Sequence, residues 1–164
     1  MLREFNTLTE EERQLMFDAI PLITILVGAA DNNLDEVELA EAQRLADIRT
    51  YNNRGRLNAY YEHIDEGLTD RIQQLYNSMV NGVRERERYI VGQLSRLNEI
   101  LPKLREPYGY LYYSNFRSFA RHIAEAHGGF LRFITVGPLE AKVMDLPMIK
   151  PVPKPPEDEY PDLP

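Results

Sequence analysis

The stretch Ile20-Pro21-Leu22-Ile23-Thr24-Ile25-Leu26-Val27-Gly28-Ala29-Ala30 decides the fold. It is apolar on every side of a helix, and a helix with no polar face has to be surrounded by other elements. Begun at Ala19 it is still too short to span a bilayer, which takes about 20 apolar residues. A central, buried helix is therefore predicted. Pro21 lacks an N–H and is expected to kink or restart it.

Upstream, Thr9-Glu10-Glu11-Glu12 has the pattern of a capping box. The Thr9 hydroxyl can cover an orphan N–H, Glu12 can reach back, and three carboxylates meet the positive helix end. Downstream, Asp31-Asn32-Asn33 breaks the central helix, and Leu34 to Ile48 is predicted as the next. Asn52-Asn53-Arg54-Gly55 is turn chemistry. Leu57, Tyr61, Ile64, Leu68, Ile72, Leu75 and Met79 then recur at steps of three and four, which predicts one long amphipathic helix with Gly67 inside it. Asn81-Gly82 ends it. Ile90, Leu94, Leu97 and Leu101 form a heptad-like seam that stops near Pro102.

From Tyr108 to His127, Tyr112, Phe116, Phe119, Ala120 and Ile123 share one side of a helix that Gly128-Gly129 closes. Gly137-Pro138 opens a last short helix. Residues 145–164 hold 7 Pro in 20 positions, so an extended tail is predicted. The expected fold is all-α: a compact bundle of six or seven helices over residues 1–144, followed by a Pro-rich acidic tail over 145–164.

Composition narrows the function. The 164 residues suffice for one core. The absence of cysteine removes disulfides, thiolate metal sites and thiol catalysis, and it suits a reducing cytoplasm. Met1-Leu2-Arg3-Glu4 does not read as the start of a signal peptide, and no transmembrane segment is predicted. Net charge is −7, with 4 basic and 11 acidic side chains in residues 1–50. A chain without a basic stripe is not expected to bind nucleic acid. The run Arg84-Glu85-Arg86-Glu87-Arg88 alternates in sign, which reads as a solvated helix face.

The strongest local pattern is Asp31-Asn32-Asn33-Leu34-Asp35-Glu36-Val37-Glu38. Asp31, Asn33 and Asp35 have the spacing of the first three ligands of a calcium EF-hand loop. Glu36 stands where that loop needs Gly, and Ala42 where it needs the bidentate Glu, so tight calcium binding is not expected. Two readings remain. In one, Asp31 or Asn33 caps the next helix and Asp35, Glu36 and Glu38 favour its positive end. In the other, Asp31, Asn33, Asp35 and Glu38 hold a divalent cation weakly, with Glu140 contributed from a distant helix.

Ala30, Asp31, Leu34 and Glu38 also fit an Ala-Ala-Asp-x-x-Leu-x-x-x-Glu pattern between two helices that resembles the TerB-like (tellurite-resistance) helical family. A second copy of the motif would begin at Ala124-Glu125-Ala126 and reach Glu140 through Gly137-Pro138-Leu139. There His127-Gly128-Gly129 replaces the expected Asp-Gly turn, and residues 130–136 read as an insertion. The resemblance implies a compact helical domain tied to stress response or membrane-associated assemblies, an acidic metal-binding patch, and no catalytic activity.

Among the histidines, His63 falls beside Tyr60, Tyr61 and Ile64, His122 shares a polar face with Ser118 and Glu125, and His127 sits near a helix end. None stands in an HExxH arrangement, and the chain has no GxSxG, phosphate loop or GxGxxG. The leading expectation is a non-enzymatic binding module of TerB-like type with a weak divalent site. The alternative is an interaction or scaffold protein, a homodimer or a complex with a protein partner, built on the Tyr-rich helix around Tyr108 to Phe119 and the Pro153-Lys154-Pro155-Pro156 tail. The third is an enzyme that brings carboxylates and His63 or His127 into one cleft.

Overall fold

The computed structural model describes residues 2–28, 34, 36–52, 55–79, 82–126 and 143–164. Among these residues the α-helices are α1 (Glu10–Gly28), α2 (Glu36–Asn52), α3 (Asn58–Asp65), α4 (Leu68–Ser78), α5 (Val83–Ser95), the single turn α6 (Leu97–Ile100) and α7 (Tyr108–Ala126). Short 3₁₀ turns at Arg3–Phe5, Leu101–Lys103 and Val143–Asp145 complete the regular structure, which among the described residues is entirely helical.

The capping box forms as the residue types dictate. The Thr9 N–H donates to Glu12 Oε2 (2.9 Å) and the Glu12 N–H to Thr9 Oγ1 (3.3 Å). Lys103 ties the other Glu12 oxygen to the turn before α7. The hydrogen bond from Lys103 and that from Thr9 hold the Glu12 carboxyl below its ordinary range.

α1 is the central element. Every residue from Leu15 to Gly28 except half-buried Phe17 is buried, and α1 touches α2, α4, α5, α6 and α7. It runs through Pro21 without restarting, as a proline held in place by packing on all sides can. Thr24 resolves its own buried hydroxyl by donating to the Ile20 carbonyl, 2.9 Å away.

The long helix expected from Leu57 to Met79 is two helices. Glu66 turns extended (ψ 96°) and Gly67 takes φ +86°, a conformation that only glycine adopts without strain. The seam survives the break, because Leu57, Tyr61, Ile64, Leu68 and Ile72 all stay buried. The second predicted helix is also shifted, running from Glu36 to Asn52 rather than from Leu34 to Ile48. Ile90, Leu94, Leu97 and Leu101 are buried as the seam requires, across a step at Arg96 between α5 and α6. The predicted turn at Asn53-Arg54, the Gly128-Gly129 stop and the helix at Gly137-Pro138 lie outside the described residues.

α7 presents Tyr112, Phe116, Phe119, Ala120 and Ile123 to the core, all fully buried. Phe5, Tyr60, Tyr112 and Phe116 stack edge-on or tilted, with ring centres 5.0–6.4 Å apart. Their buried hydroxyls are satisfied: Tyr60 donates to the Met16 carbonyl (2.7 Å) and Tyr112 to Glu4 (3.1 Å). At the start of α7, a Cβ added to Gly109 would come within 2.8 Å of the Leu101 carbonyl oxygen. That neighbour is backbone and cannot swing away, so Gly109→Ala is expected to cost about 1–2 kcal/mol, measurable as a lower urea midpoint at unchanged slope.

The alternating run of residues 84–88 is not wholly solvated. Arg86 is only 6% exposed, with its guanidinium 4.9 Å from the centre of the Tyr76 ring. The flat, weakly hydrated cation buries against an aromatic face where a lysine would not.

Candidate functional site

Of the predicted cation ligands, Asp31, Asn33, Asp35 and Glu140 lie outside the described residues, as does His127. Glu38 lies in the first turns of α2, its side chain outside the described set. Leu34 is half-buried against the core and Glu36 is exposed at the start of α2. Among the described residues no three His, Asp or Glu side chains gather as a metal-binding group.

His122 lies on an exposed face with Glu125, and its Nδ1 meets the Ser118 carbonyl oxygen at 2.7 Å. His63 is also exposed, its ring 4.2 Å from that of Phe17. It borders two clefts that share Phe17. One, of about 400 Å³, is lined by Leu2, Phe5, Glu10, Arg13, Phe17 and Ala59. The other, of about 200 Å³, runs past Pro21 to Gly67 and is walled by Asp18 and Arg71.

Asp18 and Arg71 were not singled out by any local motif. The guanidinium donates twice to the carboxylate, from Nε and from an Nη, at 2.7 Å each, and joins α1 to α4. On the far side of Asp18 a third groove opens between α1, α4 and α5, about 240 Å³ in volume. Leu15 and Leu22 form its apolar floor and Leu75 one flank. Glu11, Gln14, Gln93 and Arg96 form a polar rim, and Tyr89 stands at the edge 52% exposed. The Glu11 carboxylate is 3.8 Å from the Arg96 guanidinium and 88% exposed.

A second unpredicted cluster lies between α2, α3 and α4. The Gln43 side-chain amide donates to Asp47 (3.2 Å) and to Asp65, and its oxygen accepts from Thr69 (3.3 Å). Burial, and then the facing Asp47 carboxylate, push the Asp65 pKa up, while Gln43 opposes the shift. A carboxyl that holds its proton more tightly folded than unfolded stabilises the fold at acid pH, and that contribution is lost as pH rises through the folded pKa. Asp65→Asn cannot ionise, so at pH 7 it is expected to melt at a higher temperature than wild type. The gain should vanish below the ordinary carboxylate range, which thermal melts at pH 7 and pH 3 would check.

Comparison of the chain with protein-family models, with curated proteins and with solved structures finds no match. No helix among the described residues is long and apolar enough to cross a membrane.

Proposed function

We propose that this chain is a non-enzymatic helical binding module of TerB-like type, with the groove between α1, α4 and α5 as its contact surface for a protein partner. The observation that carries this reading is Tyr89, a large aromatic left half exposed beside an apolar floor ringed by polar side chains. Interfaces are built in that way: apolar and aromatic at the centre, polar at the rim, with a few aromatic anchors contributing most of the affinity. The Glu11 carboxylate on the rim is 88% exposed, with the Arg96 guanidinium 3.8 Å away. The complementary partner is thus a peptide segment with one apolar side chain flanked by Lys or Arg. The lack of cysteine accords with a cytoplasmic setting, and the family resemblance with a role in stress response.

Panning a displayed peptide library on the full chain tests this. The enriched peptides should carry the apolar–basic pattern, and Tyr89→Ala should weaken them about tenfold, roughly 1.4 kcal/mol. Peptides that bind Tyr89→Ala and Glu11→Lys as well as wild type would sink the reading.

The weak divalent site at residues 31–38 is the second part of the proposal. It is supported by the acidic sequence that joins the end of α1 at buried Gly28 to the first residues of α2, where Glu36 is exposed and Glu38 follows. Millimolar calcium, magnesium, manganese or zinc is expected to raise the melting temperature of wild type and not of Asp31→Ala, because an ion that prefers the folded state stabilises it. A wild-type melt unmoved by all four would leave Asp31 as a helix cap.

A further inference from the structure

The Tyr-rich helix α7 and the Pro-rich tail are engaged with each other. Residues 146–164 run as extended chain and turns over the helical body, and four positions bury on it: Leu146, Ile149, Pro155 and Leu163. Leu146 is fully buried and takes φ +50°, a backbone state costing a non-glycine residue about 1 kcal/mol, so its burial outweighs the strain.

The polar contacts that hold this chain have a particular character. Asn98 treats the tail as a β-strand would, donating from Nδ2 to the Met148 carbonyl (2.8 Å) and accepting the Lys150 N–H at Oδ1 (2.7 Å). The Tyr110 hydroxyl donates to the Pro164 carbonyl (2.9 Å). All three contacts read backbone, so they do not depend on tail side chains. Charge selects at the two ends. Arg121 grips Asp145 at 2.9 and 3.1 Å, with Arg117 donating to the Asp145 carbonyl. At the other end the Arg56 guanidinium lies 5.2 Å from the Tyr160 ring centre and 3.5 Å from Asp162.

Backbone-reading donors, spaced apolar pockets and a preference for a stiff, low-entropy chain are the elements by which proteins recognise proline-rich peptide. We propose that α6, α7 and the turn at Arg56 form a recognition track for extended proline-rich segments of a partner protein that bear an acidic residue at each end. Residues 145–164, with Asp145 near one end and Asp162 near the other, are the built-in competitor. Sixteen residues, 127–142, join Ala126 to Val143. The tail is part of the chain it covers, so it competes with any partner segment intramolecularly. A partner segment displaces the tail only by binding more tightly or by meeting a chain whose tail has been loosened. This track lies apart from the Tyr89 groove and does not rest on it.

The experiment uses the full chain and a fluorescein-labelled peptide of residues 145–164, followed by anisotropy. Wild type should bind it weakly because the tail occupies the track. Ile149→Asp, which lifts the tail while leaving the track intact, should bind the peptide at least tenfold more tightly. Adding Asn98→Ala to that variant should abolish the gain. If Ile149→Asp fails to fold by circular dichroism, Tyr160→Ala with Asp162→Ala removes the half-buried Tyr160 ring and the two contacts to Arg56 without touching the buried tail positions, and should give a smaller gain in the same direction. A folded, loosened variant that binds the peptide no better than wild type overturns the proposal. So does a wild-type chain that dimerises at the concentrations used by exchanging tails, since the track would then belong to a second copy.

Discussion

Replacing Tyr60 by alanine is expected to cost about 3–5 kcal/mol of folding stability, the range for deleting a fully buried aromatic ring. Tyr60 has no exposed surface and meets the rings of Phe5, Phe17, Tyr61, Tyr112 and Phe116. Those neighbours come from the N-terminal turn and from α1, α3 and α7, so collapse around the cavity would have to move several elements at once. The hydroxyl is separable from the ring. Tyr60→Phe keeps the packing and loses only the 2.7 Å bond to the Met16 carbonyl, worth about 1 kcal/mol. Urea titration of both variants should show a large and a small drop in midpoint. Equal losses would mean that the hydroxyl, and not the ring cluster, fixes α3 against α1. Since small domains have about 5–15 kcal/mol in total, Tyr60→Ala is expected to leave the chain barely folded at 37 °C.

Much of this core is legible in the sequence because it rests on local periodicity. The apolar run from Ile20, the capping residues Thr9 and Glu12, and the seams through Ile90 to Leu101 and Tyr112 to Ile123 each declare a helix and its buried face. Gly67 shows where that reasoning stops. A glycine between Ile64 and Leu68 leaves the four-residue step intact, so the pattern continues through a point where the backbone breaks with φ +86°. Arg86 shows another limit, since a sign-alternating run looks solvated until Tyr76 is seen beneath one guanidinium.

The candidate sites are less legible for the same reason. Asp47 and Asp65, and Asp18 and Arg71, meet across helices from distant positions, and spacing along the chain carries no trace of such pairs. Composition predicts an extended tail after residue 145 but not the helices it lies on, which depend on Asn98 and Tyr110. The acidic sequence at 31–38 is the reverse case: vivid as a motif, with Asp31, Asn33 and Asp35 outside the described residues.

Removing Arg71 is expected to be worse than removing Asp18, although each deletes the same ion pair. The two partners are unequally buried: the Asp18 side chain is 12% exposed and that of Arg71 39%. Arg71→Ala therefore strands a carboxylate beside Pro21 and Leu22 with little water to solvate it, at a cost of about 2–3 kcal/mol. Asp18→Ala leaves a guanidinium already half in solvent, which rehydrates where it stands, and the loss should be smaller. Arg71→Lys should not restore wild-type stability, because a single ammonium cannot reproduce the two parallel 2.7 Å bonds. A double-mutant cycle read by urea denaturation isolates the coupling. If both single variants lose the same amount and Lys restores it, the pair acts as a screened surface contact and α1 is held to α4 by apolar packing alone. If Arg71→Ala is the worse, the bidentate pair fixes the wall between the His63 cleft and the Tyr89 groove, both of which Asp18 lines. The peptide binding proposed for the Tyr89 groove should then weaken in Arg71→Ala even where the variant remains folded.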